Sequence, residues 1–465
     1  MRRHLFTYKY PTITLSITLM ASILLSYNCH AFLPGKQVLT IATLCWGLAC
    51  ISAFLPHHTY RGKIRCCPFK HCHVFIIHLT LFIWGFAYTS ICQERALGSH
   101  ASCPTYTIHQ LSPIDRCKLK AQSTVSNIKE EMKKSHIGHQ ELAVISAMVL
   151  GEKSMLTDST KNAFSVTGAS HVLAISGLHI GIIFQLIFLL LGGKRHYLYS
   201  VPLSLSIVWT YVFIIGLPTS AVRSATMISI YGFSLISRRK NMSINSLFIS
   251  LILLLIVNPL SLFDISFQMS FLSVGSILLL YPLIQGLLHP HLPIVRWAWS
   301  ATAISISAQI GTLPIIIYYF GRISCYSILT NLIAIPAATL ILYFALSFIL
   351  LSSLSHLGIA TELFSLLSKF IAHLLFAITK ITNESLAMLS SLPGASIDNV
   401  KINILQLYLI YMSIAAGYLL IRKLHQYRLR RTHLLASCRK HCNSPANQTS
   451  PMDLCPKSDR HKLSS

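Results

Sequence analysis

The stretch SHVLAISGLHIGIIFQLIFLLL, Ser170 to Leu191, constrains this chain more than any other. It is long and apolar enough to cross a bilayer as a helix. Yet His171, Ser176, His179 and Gln185 stand inside it. Polar groups in hydrocarbon are costly and face protein or a water-filled cavity. His171, Ile175 and His179 recur every four residues and share one face. Gly177, Gly181 and Gln185 recur at the same interval on roughly the opposite face. The spacing predicts a central helix, packed through Gly177-x-x-x-Gly181 on one side and facing a polar space on the other. A packed helix with two satisfied histidines and no transport role fits the same residues.

Several other runs approach the same length. In a chain of 465 residues, 53% hydrophobic and only 11% charged, they point to a membrane protein rather than a soluble domain. We expect an all-α, polytopic helical membrane protein with roughly ten to eleven transmembrane helices, some of them broken. The formal net charge is +25, with 38 Lys and Arg against 13 Asp and Glu. Much of that excess is topological, because cytoplasmic loops collect Lys and Arg. It is also compatible with a polyanionic partner.

The expected organisation runs in four parts. Residues 1–92 hold three spans, beginning with an uncleaved anchor, and the basic loop HHTYRGKIRCCPFKHCH lies inside. Residues 93–140 form a short loop outside. There Glu130 and Lys134 suit a short helix. Cys92, Cys103 and Cys117 flank or occupy this loop, where a disulfide is plausible in an oxidising compartment. Residues 141–421 form the main bundle. Asp158 is a candidate cap for a short helix leading to the organising span. Pro314 and Pro336 are candidate breaks in later spans. Thr361 to Leu392 suits either an interfacial amphipathic helix or a span. Residues 422–465 are a basic tail, placed inside by its charge.

The candidate functional residues are polar groups within or beside apolar runs. Arg223 is embedded, and Asp264 adjoins the later spans, so each is the other's natural partner. That pair serves a transport path or simple packing equally well. Asp264 and Gln268 share a face, with Gly275 near it. Ser305, Gln309 and Thr312 form another, and Asn331 precedes Pro336. Such stripes suit a hydrated passage or a polar-stitched bundle. Ser176 and His179 stand three apart, as a nucleophile and base could. No orienting acid is near in sequence and no nucleophile-elbow motif appears. Cys66, Cys67, His71, Cys72 and His73 match no common zinc module, and a solvated basic loop explains them. No Walker A sequence, dinucleotide fingerprint or HxHxDH cluster is present. No cofactor and no metal are expected.

The run AVISAMVLGEKSMLTDSTKNAFSVTGASHVLAISGLHIGII, Ala143 to Ile183, resembles the signature of the ComEC-type competence proteins, inner-membrane DNA-uptake channels of bacterial natural transformation. Further elements follow in the family's order. They are GLPTSAVRSATM (Gly216 to Met227), NPLSLFDISFQMSFLSVGSILL (Asn258 to Leu279), AQIGTLPIIIYYFGRISCYSILTNLIAIP (Ala308 to Pro336) and SLPGAS (Ser391 to Ser396). The resemblance implies passage of single-stranded DNA through a channel in the inner membrane. It points to His171, Ser176, Gly177, His179, Arg223, Asp264, Phe267, Gln268 and Gln309 as motif positions. Cationic loops near such a passage would attract phosphates without reading sequence.

Long family members carry an OB-like domain in the first outer loop and a metallo-β-lactamase-like domain after the spans. Here residues 93–140 are short for an OB fold, and the tail has no metal-ligand motif. The expectation is therefore a channel without enzymatic activity. A separate extracytoplasmic DNA receptor or nuclease, a cytoplasmic motor and a homo-oligomeric assembly would complete it within the membrane lipid. Two other readings stay open. One is a transporter of a smaller solute on the same fold. The other is an intramembrane hydrolase using Ser176.

Overall fold

Apolar runs in a bilayer become helices because each backbone N–H and C=O must find its partner within the segment. The computed structural model describes residues 11–29, 69–98, 126, 130, 138–237, 243–356 and 361–442. They are almost entirely helical, so the protein is an all-α multi-pass membrane protein. Six described helices are long and apolar enough to cross a membrane, and four shorter apolar helices accompany them.

Helices α1 (Pro11–Cys29) and α2 (Phe69–Gly98) come first. Next, α3 (His139–Ile145) runs into a π-turn (Ser146–Leu150), and every residue from Leu142 to Leu150 is buried. Gly151, at φ 78°, ends that element in the left-handed region, where glycine escapes the Cβ penalty. Helix α4 (Asp158–Val166) is capped by Thr157, whose Oγ1 accepts from the Thr160 N–H at 3.3 Å. Asp158, the expected cap, is instead the first helical residue and pairs with Lys161 at 3.0 Å.

Then come α5 (Gly177–Leu190), α6 (Tyr197–Ile214), α7 (Thr219–Ile236) and α8 (Ser243–Val257). They are followed by α9 (Ile265–Gln285), α10 (Pro293–Phe320), α11 (Ser327–His356) and α12 (Thr361–Ser391). Helices α10 and α11 run unbroken through Pro314 and Pro336. Interruptions fall elsewhere, at the π-turn, at the turn before α5 and at the 3-10 turn Pro259–Phe263. Thr361–Ser391 is one helix of 31 residues packed on α11, long and apolar enough to cross a membrane.

Small residues set the close approaches. A Cβ on Gly311 of α10 would collide with the Ser276 side chain and come within 2.9 Å of the Leu272 carbonyl on α9. Gly232 brings α7 against Val201 of α6 in the same way. Between α1 and α2, Ser26 donates to the Phe86 carbonyl at 2.8 Å. Such small and hydroxylated contacts hold membrane helices together where lipid is as apolar as the side chains.

Two apolar clusters result. One joins α3, the π-turn, α4, α5, α6, α7, α11 and α12 around residues such as Met148, Phe164, Ile180 and Leu342. The other joins α1, α8 and α9 through Leu19, Ile23, Leu255 and Phe267. Helix α7 borders both, through Ala221 and Ala225 on one side and Met227 on the other.

Strands β1 (Ile323–Ser324) and β2 (Ser396–Ile397) pair antiparallel, Ile323 with Ile397. This clasp ties the start of α11 to the end of α12. The Tyr326 hydroxyl donates to the Pro393 carbonyl at 3.2 Å beside it. The two helices are therefore antiparallel. A separate unit, Ile402–Ser465, contains α13 (Ile404–Cys442). The first part of α13, Ile404–Leu424, is apolar enough to span, and Arg and Lys crowd its second part.

Candidate functional site

Helix α5 starts later than its apolar run suggests. Gly168, at φ 81°, closes α4, and Ala169 N–H donates to the Phe164 carbonyl at 2.8 Å. A Cβ on Gly168 would sit 3.0 Å from the Cβ atoms of Ser324 and Ser327, so the turn also fits tightly under α11. Val172, Leu173 and Ile175 are buried in this non-helical turn. Ser176 is extended, at φ −114° and ψ 171°, and caps α5. The expectation of one helix from Ser170 is thus corrected. The same apolar residues are buried by protein as a turn rather than by lipid as a helix.

His171 consequently lies off α5. It is exposed, with Nδ1 3.1 Å from the Gly168 carbonyl. It does not share a helix face with His179.

His179 is 0% exposed. Its Nδ1 accepts the Ser176 backbone N–H at 3.2 Å and lies 2.9 Å from the Ser176 hydroxyl. Nδ1 is an acceptor, so a neutral ring carries its proton on Nε2. That buried Nε2 has no partner among the described residues. The arrangement is a helix cap, with the third helical side chain reaching back to the cap residue's N–H. It lacks the acid that would orient a catalytic base through the ring's second nitrogen.

The two faces of α5 are the reverse of the expected ones. The His179 face is buried, together with Ile180, Ile182, Ile183 and Phe184. On the other face Gly177 does pack closely, since a Cβ there would meet Ser224 Oγ at 2.9 Å. Gly181 has nothing within 4 Å of an added Cβ, and Gln185 is exposed. Gly177-x-x-x-Gly181 is therefore not a packing seam along its length. Beyond its first glycine, no described residue comes within 4 Å of a Cβ added at Gly181.

Helix α7 latches the start of α5, because the Ser220 hydroxyl donates to the Ile175 carbonyl at 2.7 Å. From the same turn of α7, Arg223 reaches α9. Its side chain is 7% exposed, and Nη1 lies 3.5 Å from Asp264 Oδ2, a carboxylate 47% exposed. Nη2 donates to Ser266 Oγ at 2.5 Å, whereas the buried Nε has no partner among the described residues. Asp264 also caps α9 by accepting the Ser266 N–H at 3.2 Å. Gln268, one turn on, donates to the Leu262 carbonyl at 2.9 Å and pins the preceding 3-10 turn.

Two further polar atoms are buried on α10 and α11. Gln309 Nε2 on α10 and Asn331 Oδ1 on α11 are buried without a partner among the described residues. The Ser307 hydroxyl turns back to its own helix, donating to the Ala303 carbonyl at 2.6 Å.

One constellation escaped the sequence reading. Arg322 grips Asp398 through Nε and Nη2, and its Nη1 donates to Ser165 Oγ at 2.9 Å. These residues join the end of α4 to the β1–β2 clasp. They are 76 and 157 positions apart, so no local pattern marks them.

Among the described residues, no group of three or more His, Cys, Asp or Glu could hold a metal. Cys66, Cys67, Cys103 and Cys117 lie outside the described residues, as do the second of the three spans expected within residues 1–92 and most of the outer loop. The side chains of His71, Cys72 and His73 are likewise not described, and Cys92 stands part-buried on α2.

A family model described as Competence protein matches residues 148–424, which include α5, α7 and α9 to α12. ComE operon protein 3 of Bacillus subtilis (strain 168) is 32% identical over 216 residues, 46% of this chain and 27% of that protein. Recombination protein 2 of Haemophilus influenzae is 25% identical over 226 residues, covering 46% of this chain and 29% of that protein. YcaI of Escherichia coli (strain K12), described as uncharacterized, is 24% identical over 324 residues, 68% of this chain and 41% of that protein. The chain thus spans less than a third of the first two relatives. No solved structure matches it.

Proposed function

Because the chain belongs to the competence protein family, we propose that it forms the path by which one DNA strand crosses the cytoplasmic membrane in natural transformation. One observation carries this reading. His179 Nε2, Arg223 Nε, Gln309 Nε2 and Asn331 Oδ1 are buried polar atoms, unpartnered among the described residues, on apolar helices of the matched region. Unsatisfied groups at membrane depth are expensive, and water or a polar cargo would satisfy them. The Gly181–Gln185 face of α5, uncovered among the described residues, supports room for such a passage.

In this reading the starts of α5, α7 and α9 form the outer mouth. Basic Lys194 and Arg195, between α5 and α6, lie on the cytoplasmic side. Arg223 holds the mouth's geometry and adds positive potential for a phosphate chain without selecting bases. The channel is not itself an enzyme. A receptor or nuclease outside would deliver the strand, and a cytoplasmic motor would draw it in.

The test follows labelled duplex DNA in cells lacking the chain, separating surface binding from strand entry. Binding without entry is the expected result, with the same defect in Arg223→Met at normal membrane levels. Normal entry in the deletion strain would sink the proposal and favour a smaller solute as cargo.

A further inference from the structure

Helix α13 runs for 39 residues, Ile404–Cys442, with no proline among them. Its length is about 58 Å, against about 30 Å for the hydrocarbon layer. The first part, Ile404–Leu424, is apolar enough to span, and the part beyond Leu424 adds about 27 Å. Charge is divided as unevenly as length. No Lys or Arg lies between Ile404 and Ile421. Arg422 and Lys423 stand at the end of the apolar part, and Arg428, Arg430, Arg431, Arg439 and Lys440 follow, with no Asp or Glu anywhere in α13. The charge rule sets this basic end on the cytoplasmic side.

Anionic headgroups and a polyanion in solution both attract such a segment, but they demand different geometry. A helix lying on headgroups divides into an apolar face and a basic one. Counted from Arg422 at about 100° per residue, Arg428 falls near 240°, Arg430 near 80°, Arg431 near 180°, Arg439 near 260° and Lys440 near 0°. Leu424, Leu429, Leu434 and Leu435 fall among them, near 200°, 340°, 120° and 220°. The extension therefore has no apolar face for a bilayer to take up. Its length argues the same way. Along the axis Arg439 and Lys440 lie about 22 Å and 24 Å beyond Leu424. The potential of a lipid surface fades within a Debye length, about 8 Å at physiological salt.

Cations on every side of a slender rod suit a flexible chain of phosphates that can bend around it. Duplex DNA, stiff over about 150 base pairs, meets one side at a time. Tyr427, 58% exposed, stands among the cations and offers a ring on which a base can stack.

Resting on the reading above, we propose that the basic extension of α13 is the first cytoplasmic binding site of the arriving single strand, which it holds without reading bases. Being part of the same chain as the path, it meets the strand at the effective concentration of a tethered site, about millimolar. Phosphates held there oppose backward diffusion until a motor takes the strand.

The test uses the full chain, purified in nanodiscs of zwitterionic lipid and titrated with a fluorescent oligothymidine at several salt concentrations. Each phosphate neutralised on a single strand contributes about 0.7 to the log–log salt slope. R428Q/R430Q/R431Q/R439Q/K440Q, with Arg422 and Lys423 kept to hold the orientation, should flatten that slope by about 3 and weaken binding at least tenfold at low salt. R428K/R430K/R431K/R439K should keep both. In transformable cells the glutamine variant should lower strand entry at unchanged membrane level and surface binding. An unchanged slope or unchanged entry in that variant, when deletion of the chain abolishes entry, would overturn the proposal and leave the path standing. Normal entry on deletion would sink both. A photoreactive side chain at position 427 should capture the labelled strand during uptake. Capture of lipid alone would make the extension a membrane anchor, and capture of a protein alone a docking site; either overturns the proposal.

Discussion

Arg223 on α7 closes the first turn of α9, its Nη1 3.5 Å from Asp264 Oδ2 and its Nη2 on Ser266 Oγ. One guanidinium thus binds both the residue that caps α9 and the residue whose N–H that cap accepts. Only a rigid, multi-donor head does this. Arg223→Lys should keep one of the two contacts, and Arg223→Met neither. Asp264→Asn retains the cap but leaves the guanidinium short of a counter-charge. A fully buried pair broken this way loses about 3–5 kcal/mol, but Asp264 is half exposed, so a loss of about 1–2 kcal/mol is expected. Thermal unfolding in detergent should rank wild type above D264N, and R223K above R223M.

Ser176 and His179 cap α5, so cap chemistry should decide what substitutions do there. Ser176→Ala should cost about 0.5–2 kcal/mol, and Ser176→Asn should restore most of it. A serine-reactive probe should leave the protein unlabelled. Labelling at Ser176, lost in Ser176→Asn with folding intact, would revive the hydrolase reading.

The two glycines of α5 should behave differently. Gly177→Ala pushes against Ser224 Oγ at 2.9 Å and should lower the melting temperature. A Cβ at position 181 has nothing within 4 Å among the described residues, so Gly181→Leu should lower the melting temperature less than Gly177→Ala does. If the open face lines the passage, Gly181→Leu reduces strand entry all the same. Entry at the wild-type level in a stably folded G181L would remove this face from the path.

Gly311→Ala should separate α9 from α10. Its Cβ would strike the Ser276 side chain and come within 2.9 Å of the Leu272 carbonyl. Overpacking of this kind costs about 1–3 kcal/mol. The double variant G311A/S276A should recover only part of the loss, because the backbone carbonyl cannot be trimmed. Full recovery in a melting experiment would show that the hydroxyl alone sets the approach.

The Arg322–Asp398 grip should matter locally more than globally. Both side chains are partly exposed, 31% and 47%, so Asp398→Ala should cost about 1 kcal/mol or less. Limited proteolysis should nonetheless cut the segment just after β2 faster, since the grip joins Asp398 to Ser165. An unchanged cleavage rate would mean that the two strands hold the segment alone.

The helices from α6 to α11 could be read from the sequence because hydropathy and helix length are set by the same bilayer. The start of α5 could not. Val172, Leu173 and Ile175 are as apolar as a membrane helix, and composition does not tell burial in protein from burial in lipid. A faint signal was present. Gly168 marks a helix end, and Ser176 with His179 three residues on marks a helix start. The pairing of Arg223 with Asp264 was legible because an embedded arginine leaves few candidates. The face of α5 that opens was not, because it depends on where Ser224 and the neighbouring helices fall. Arg322, Ser165 and Asp398 were invisible for a simpler reason. Their link is long-range, and each residue alone looks like ordinary loop chemistry.

Helix α5 has 14 residues, hence a length of about 21 Å against a hydrocarbon layer of about 30 Å. The folded turn before it makes up the remainder. Viewed as a dielectric, the helix alone is shorter than the layer. Wherever water fills the open flank of α5, the transmembrane voltage drops over a shorter distance than across the surrounding lipid. An anionic chain entering at Ser176 would meet a steeper field than it would in a uniform slab, and that field would act on fewer of its charges at once.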